Sequence, residues 1–142
     1  MTSARAQAGL GRTIPALPAR DVAAAVEFYG ERLGFGVLHH DDGFAVLRRD
    51  EAVLHLWQAD DERWRGREAA SPVASGAESF LAGTASCRIE TADVDALYEE
   101  LRRREVLHPT SREGIARTDF GTREFHALDL DGNLVSFYRW VT

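Results

Sequence analysis

Two stretches of the chain share a pattern in which apolar runs flank a polar turn. In the later stretch the runs cover residues 123–128 and 134–140, and the turn at 131–133 reads Asp-Gly-Asn. In the earlier stretch an Asp-Glu turn at 50–51 precedes an apolar run at 52–58. Turn residues between two apolar, alternating runs are typical of β-hairpins. Each stretch therefore predicts a hairpin that presents one face to a core.

A helix is predicted upstream of each hairpin. Asp21 and Asp93 are natural N-caps, and apolar residues recur at helical spacing after both. Gly34 is expected to end the first helix, and the second is expected to run through about Arg104. The two halves therefore predict the same order of elements.

Aligning the two turns brings the halves into register and places His55 at the position equivalent to Ser136. We interpret the chain as two diverged copies of one β-α-β-β-β unit, at about residues 13–58 and 85–140. The prediction is an α+β fold with a cupped mixed sheet, formed by a single domain over residues 1–142.

The connecting segments are predicted less sharply. Residues 13–17 read as a short first strand, and Pro15 favours an edge position, from which the strand could be exchanged between chains. A short strand is predicted at 106–109 and a loop at 111–118. The long polar link at 59–84, which includes Trp64, is unusual in length for a structureless loop and is expected to have a role.

Composition excludes several classes of function. The chain has 142 residues, with 17 basic and 23 acidic side chains and a net charge of −6, which argues against nucleic acid as the main partner. Cys87 is the single cysteine, so an intrachain disulfide is excluded. No run predicts a membrane span or a secretory signal, so a cytoplasmic location is expected.

Alternation along the strands separates a core face from an open face. Leu54 and Leu56 point one way and Val53, His55 and Trp57 the other. In the last strand, Val135 and Phe137 face the core while Leu134, Ser136 and Tyr138 face the opposite side. The predicted ligand-binding residues on and around the open face are Phe44, Val53, His55, Trp57, Phe120, Ser136 and Tyr138.

Three segments resemble the vicinal oxygen chelate (glyoxalase/bleomycin resistance/dioxygenase) superfamily. Residues 21–35 are similar to its first helix, and residues 120–125 and 129–133 to its closing hairpin, although Phe120 and Leu130 stand where Trp and Pro are usual. Within the superfamily the chain is most similar to bleomycin-binding resistance proteins, through residues 52–56, 84–91 and 95–100. The resemblance implies a paired β-α-β-β-β fold, usually a homodimer, with ligand clefts between a cupped sheet and the partner.

Metal-dependent members of this superfamily take their ligands from four strands. The equivalent positions here are Ile14, His55, either Cys87 or Arg88, and Ser136. Isoleucine cannot ligate, arginine repels a cation and serine is a poor ligand, whereas a catalytic metal needs three protein ligands. The sequence therefore predicts no metal, no cofactor and no catalytic residue.

Other polar residues are expected to be structural. Arg123 and Glu124 are predicted to pair with each other across strands. The remaining histidines are predicted to lie at the surface or to be hydrogen-bonded: His39, His40, His108 and His126.

The predicted function is non-catalytic binding and sequestration of a small antibiotic. A bleomycin-type glycopeptide is the first candidate, because its thiazole rings can stack on aromatic side chains and its cationic tail suits an acidic protein. Other aromatic natural products fit the same cleft. The alternatives are a metal-dependent glyoxalase-like or dioxygenase enzyme of the same superfamily, and a module that senses a metabolite.

Overall fold

The computed structural model describes residues 7–59, 77 and 81–141. In each half one helix accompanies a four-stranded sheet, and a short 3-10 helix spans Pro109–Ser111. The elements of the first half are β1 (Ala16–Ala19), α1 (Val22–Leu33), β2 (Gly36–His40), β3 (Phe44–Arg49) and β4 (Ala52–Gln58). Those of the second half are β5 (Ser86–Glu90), α2 (Val94–Arg103), β6 (Ala116–Arg117), β7 (Thr122–Leu128) and β8 (Leu134–Trp140).

The two sheets have the same topology, with strand orders β1-β4-β3-β2 and β5-β8-β7-β6. In each sheet the first strand runs parallel to the last, and the other neighbours are antiparallel. Two mixed sheets with helices confirm the predicted α+β fold class. Leu56 pairs with Leu17 and Phe137 with Ile89, and each partner lies four residues before a helix-capping aspartate, so His55 and Ser136 are equivalent.

Both helices begin and end where the sequence predicts. The Asp21 and Asp93 carboxylates accept hydrogen bonds from the backbone N–H groups of Ala24 and Ala96, at 3.2 and 3.0 Å. Gly34 closes α1 with a φ of 76°, in the left-handed region that glycine adopts without strain. These caps fix the directions of α1 and α2 against the sheets.

The hydrophobic core is one continuous cluster with members from both halves. Its largest fully buried side chains include Tyr29, Phe125, Leu47, Leu56 and Leu101. Because each sheet buries one face against this cluster, the opposite faces of β4 and β8 are left for other contacts.

The loop between β7 and β8 joins the halves through a buried polar network. Asn133 is fully buried and donates to the carbonyl of Pro18 in β1 at 2.8 Å. Its side-chain oxygen accepts from the backbone N–H groups of Gly83 and Ala85. The Tyr29 hydroxyl of α1 donates to the buried Asp129 carboxylate at 2.8 Å. This loop therefore links the two halves through buried hydrogen bonds, and we refer to this as its fastening role.

Three expectations about connecting segments need correction. The first strand is Ala16–Ala19 and contains Pro18, whereas it was expected at 13–17. β1 does lie at a sheet edge, where a proline that lacks an N–H donor is tolerated. It pairs with β4 of its own chain, so strand exchange stays a prediction.

The expected strand at 106–109 is reduced to one bridge between Leu107 and Ala127, because Pro109 opens a 3-10 helix instead. β6 lies inside the segment that was expected to be a loop. Most of the 59–84 link, with Trp64, falls outside the described residues.

Candidate functional site

The open face of the first sheet carries an aromatic cluster of Phe44, His55 and Trp57. The Phe44 ring centroid lies 5.0 Å from that of His55, edge-on, and 4.6 Å from that of Trp57. All three side chains are half-buried, whereas Leu54 and Leu56, which alternate with them, are buried in the core. The predicted facing of β4 is confirmed, and the three rings form an aromatic surface on which a planar molecule can stack.

The open face of the second sheet is charged. Arg88 of β5 donates to both carboxylate oxygens of Glu124 in β7, at 2.8 and 3.1 Å. The Thr122 hydroxyl also donates to Glu124, at 2.8 Å. Glu124 is only 6% exposed, and the Arg88 guanidinium holds its pKa below the usual range. The ion pair therefore fixes the arginine on this face.

The expected pairing of Arg123 with Glu124 is wrong. Arg123 makes two bonds of 2.9 Å to Asp95 of α2, while Glu124 binds Arg88. Adjacent strand residues point to opposite faces of a sheet, so these two side chains cannot meet.

Ser136 is not available on the open face. It is 3% exposed, and its hydroxyl lies 2.6 Å from Nδ1 of His126. Burial lowers the pKa of His126, which favours the neutral ring. The other histidines behave as predicted, since His39 contacts Asp41 and His108 contacts Thr110, while His40 is exposed.

The rings of Tyr138 and Phe120 both lie close to the Arg88 guanidinium. The guanidinium carbon is 4.8 Å from the Tyr138 ring centroid and 5.9 Å from that of Phe120, both at cation–π range. Phe120 is 59% exposed. Two predicted ligand residues thus lie near an arginine that was weighed from sequence only as a metal position.

A cavity of about 790 Å³ is lined by residues of both halves, mainly from the start of β4 and from β5, and we name it the junction cavity. Val53, Arg88 and Tyr138 line it, together with the segment Arg12 to Pro15. The structure thus places Val53 and Tyr138 on one cavity. The other five predicted residues do not line it: Phe44, His55, Trp57, Phe120 and Ser136.

A second cavity, of about 500 Å³, lies on the helix side of the junction. Arg49 and Glu100 form a bidentate ion pair within its lining, at 2.7 and 2.8 Å. None of the predicted ligand-binding residues lines it. The junction cavity, which adjoins the open faces, is therefore the better candidate for the ligand site.

The positions expected to hold a metal in this fold do not fit one. The residue paired with His55 is Ala16, whose side chain cannot ligate a metal, and Ile14 lies before the start of β1. Cys87 packs against the core, where burial raises the pKa of its thiol to about 11, and Arg88 is engaged by Glu124. In the part of the chain that the structure describes, no three His, Cys, Asp or Glu side chains come close enough to share a metal ion.

Sequence reasoning missed three residues of the second face: Arg88, Glu124 and His126. Their alternation along β5 and β7 was a usable signal, because it puts all three on the side opposite Phe125, Ala127 and Ile89. The strand pairing that brings Arg88 to Ser136, and Ser136 to His126, was required to recognise them as one group.

Comparison with known proteins gives a consistent result. Residues 10–137 match the Glyoxalase/Bleomycin resistance protein/Dioxygenase superfamily. The chain is 46% identical over 130 residues to bleomycin resistance proteins of Geobacillus stearothermophilus and Staphylococcus aureus, covering 92% of this chain and 97% of each relative.

Solved structures resemble the fold as well. The bleomycin-binding protein of bleomycin-producing Streptomyces verticillus, in complex with copper(II)-bleomycin, superposes with a TM-score of 0.69 and 29% identity over 91% of this chain and 95% of that one. A bleomycin resistance determinant encoded on the transposon Tn5 superposes with a TM-score of 0.65 at 23% identity, covering 92% and 98%, a likeness of fold alone.

Proposed function

Because the chain belongs to the glyoxalase/bleomycin resistance protein/dioxygenase superfamily, we propose that it binds a bleomycin-type antibiotic without changing it. Resistance then follows by mass action, since a tight complex lowers the concentration of free drug. The observation that carries the proposal is the 46% identity to bleomycin resistance proteins over 92% of the chain.

The two open faces suit such a ligand. The aromatic cluster can stack planar heterocycles, and the net charge of −6 favours a cationic molecule at long range. Val53 and Tyr138 extend the surface into the junction cavity, whose volume of about 790 Å³ lies within the usual range of small-molecule sites. We propose Phe44, Val53, His55, Trp57, Phe120 and Tyr138 as ligand contacts, with Ser136 acting only through His126.

The exposed edge strand β2 supports a homodimer. All five residues of β2 are exposed, including Val37 at 50% and Leu38 at 55%, and the pairing of β2 with β3 is irregular between Val37 and His39. Exposed apolar residues on an edge strand are a common interaction surface. Light scattering at micromolar concentration is expected to give the mass of a dimer, and a monomer mass contradicts this part of the proposal.

The metal-dependent enzymes of the superfamily are the alternative, but the donor set described above does not favour them. Elemental analysis of protein purified without chelator separates the two. A stoichiometric Zn, Ni, Mn or Fe content would contradict a metal-free binding protein.

None of the helices in the described segments is long and apolar enough to span a bilayer. A cytoplasmic location remains a proposal.

Titration of the purified protein tests the function directly. Bleomycin, with and without bound Cu(II), is added while tryptophan fluorescence and binding heat are followed, and we expect saturable binding that quenches Trp57. Mass spectrometry of the recovered drug is expected to show it unchanged. Absence of binding at millimolar drug, or a chemically altered drug, would contradict sequestration.

A further inference from the structure

Arg88 is held in place but keeps most of its hydrogen-bonding capacity. A guanidinium has five N–H donors, and two of them are engaged by Glu124. No other acceptor in the described segments is bonded to Arg88. Its side chain is 42% exposed, although Glu124 beneath it is 8% exposed. The group is therefore pre-organised, with donors left for a ligand.

The surroundings of Arg88 suit a flat molecule. Tyr138 lies 4.8 Å and Phe120 5.9 Å from the guanidinium carbon, and both Arg88 and Tyr138 line the junction cavity. Guanidinium groups stack on aromatic faces and donate in their own plane. A planar ring that reaches this place can stack and present an in-plane acceptor at the same time.

We propose that Arg88 is a specificity residue that donates hydrogen bonds to the amide carbonyl of a planar, amide-bearing group of the ligand, with Tyr138 packing against that group. The proposal deepens the proposed function, because it names the chemistry read by the second face of the binding site. The aromatic cluster stacks, whereas the Arg88 group selects for an amide.

The Glu124 carboxylate favours a neutral ligand group over an anionic one at Arg88. Its carboxylate already neutralises Arg88, and Thr122 anchors it at 2.8 Å. A ligand carboxylate would have to approach a second carboxylate that is nearly buried, whereas a neutral carbonyl accepts from the remaining donors without that repulsion. Neutral amides are therefore expected to bind in preference to anions of the same shape.

Three matched small probes test the selection: nicotinamide, nicotinate and 3-methylpyridine. Protein labelled with ¹⁵N-arginine is titrated with each, and the Nε–H resonance of Arg88 is followed by NMR. Nicotinamide is expected to shift it and to bind at least about tenfold tighter than 3-methylpyridine, the scale of one charge-assisted hydrogen bond. Nicotinate binding as tightly as nicotinamide, or no shift with nicotinamide, overturns the proposal.

Variants exclude a merely structural role. Arg88→Met combined with Glu124→Met removes the pair without leaving a buried charge, and is expected to fold and to lose the preference for nicotinamide. Glu124→Gln keeps the arginine and is expected to raise nicotinate affinity. An unchanged amide preference in the double variant overturns the inference.

Bleomycin is titrated into the same proteins. If the wild-type protein binds nicotinamide through Arg88 but does not bind bleomycin, the proposed function is contradicted and the inference about Arg88 is retained. If bleomycin binds and the double variant keeps full affinity, Arg88 plays no part in recognising that drug, and the inference is overturned.

Discussion

The two halves share one strand order but use the turn between their last two strands differently. In the first half the turn at Asp50 and Glu51 is exposed, and Glu51 forms a surface ion pair with Arg12 at 3.2 Å. In the second half the equivalent loop holds buried Asp129 and Asn133, which bind β1 and α1. A duplicated fold can thus keep its topology while one copy of a turn gains buried polar contacts to the other half.

The open faces of the two sheets also differ in chemistry. The first sheet presents the aromatic cluster, and the second presents Arg88 paired with Glu124, together with His126 and Ser136. Duplication supplies equivalent positions, such as His55 and Ser136, and divergence gives them unlike chemistry. A ligand that contacts both faces can then stack on the first and accept hydrogen bonds on the second.

The cores are expected to be equivalent, and the largest effects test that. Leu56→Ala in the first half is expected to lower the free energy of unfolding by about 2–5 kcal/mol. Phe137→Ala, at the equivalent position of the second half, is expected to lower it by about 3–5 kcal/mol, because each change leaves a cavity in the core. Chemical denaturation measures both. A cost in only one half would show that the two positions do not contribute equally to the core.

The turns are expected to respond unequally. Asn133→Ala is expected to lower the free energy of unfolding by about 1–3 kcal/mol, because buried partners such as the Pro18 carbonyl lose their hydrogen bonds. Glu51→Ala in the equivalent turn is the control, at within about 0.5 kcal/mol, since its ion pair is exposed. Similar losses of stability in the two variants would contradict the fastening role of the second loop.

The aromatic cluster is expected to matter for affinity more than for folding. Trp57→Ala removes a stacking surface worth about 0.5–1.5 kcal/mol beyond lost area, so bleomycin should bind several-fold to tenfold more weakly. Calorimetric titration measures this, and Leu56→Ala, once corrected for the folded fraction, should retain wild-type affinity. A Trp57→Ala protein with wild-type affinity would remove the cluster from the site.

The smallest expected effect is on the pH dependence of stability, through His126 on the second face. Burial lowers the pKa of His126 in the folded protein, so the unfolded chain takes up a proton first as pH falls. The stability contribution is present above the unfolded pKa of about 6.5 and is lost as pH falls towards the folded value. The melting temperature should therefore fall less between pH 7 and pH 5 in His126→Gln than in wild type. Equal slopes would contradict it.

Local patterns were sufficient for the fold. Helix caps at Asp21 and Asp93, turn residues and period-two alternation depend on neighbouring residues, and the matching halves gave the topology. The facing of Trp57 and Leu56 followed from the same alternation. Segments with weak local signals, such as Ala16–Ala19 with its proline, were placed less well, because pairing with β4 determines where that strand begins.

By itself the sequence determined the β-α-β-β-β units, the core faces of β4 and β8 and the aromatic character of β4, because these depend on residue type and spacing within a few positions. Only the tertiary structure decided that Glu124 binds Arg88 and not Arg123, that Ser136 is covered by His126, and that Asn133 reaches Pro18. Those partners are separated by 36, 10 and 115 residues in the chain. Strand pairing and packing of the two halves bring them together, and no local pattern encodes such a contact.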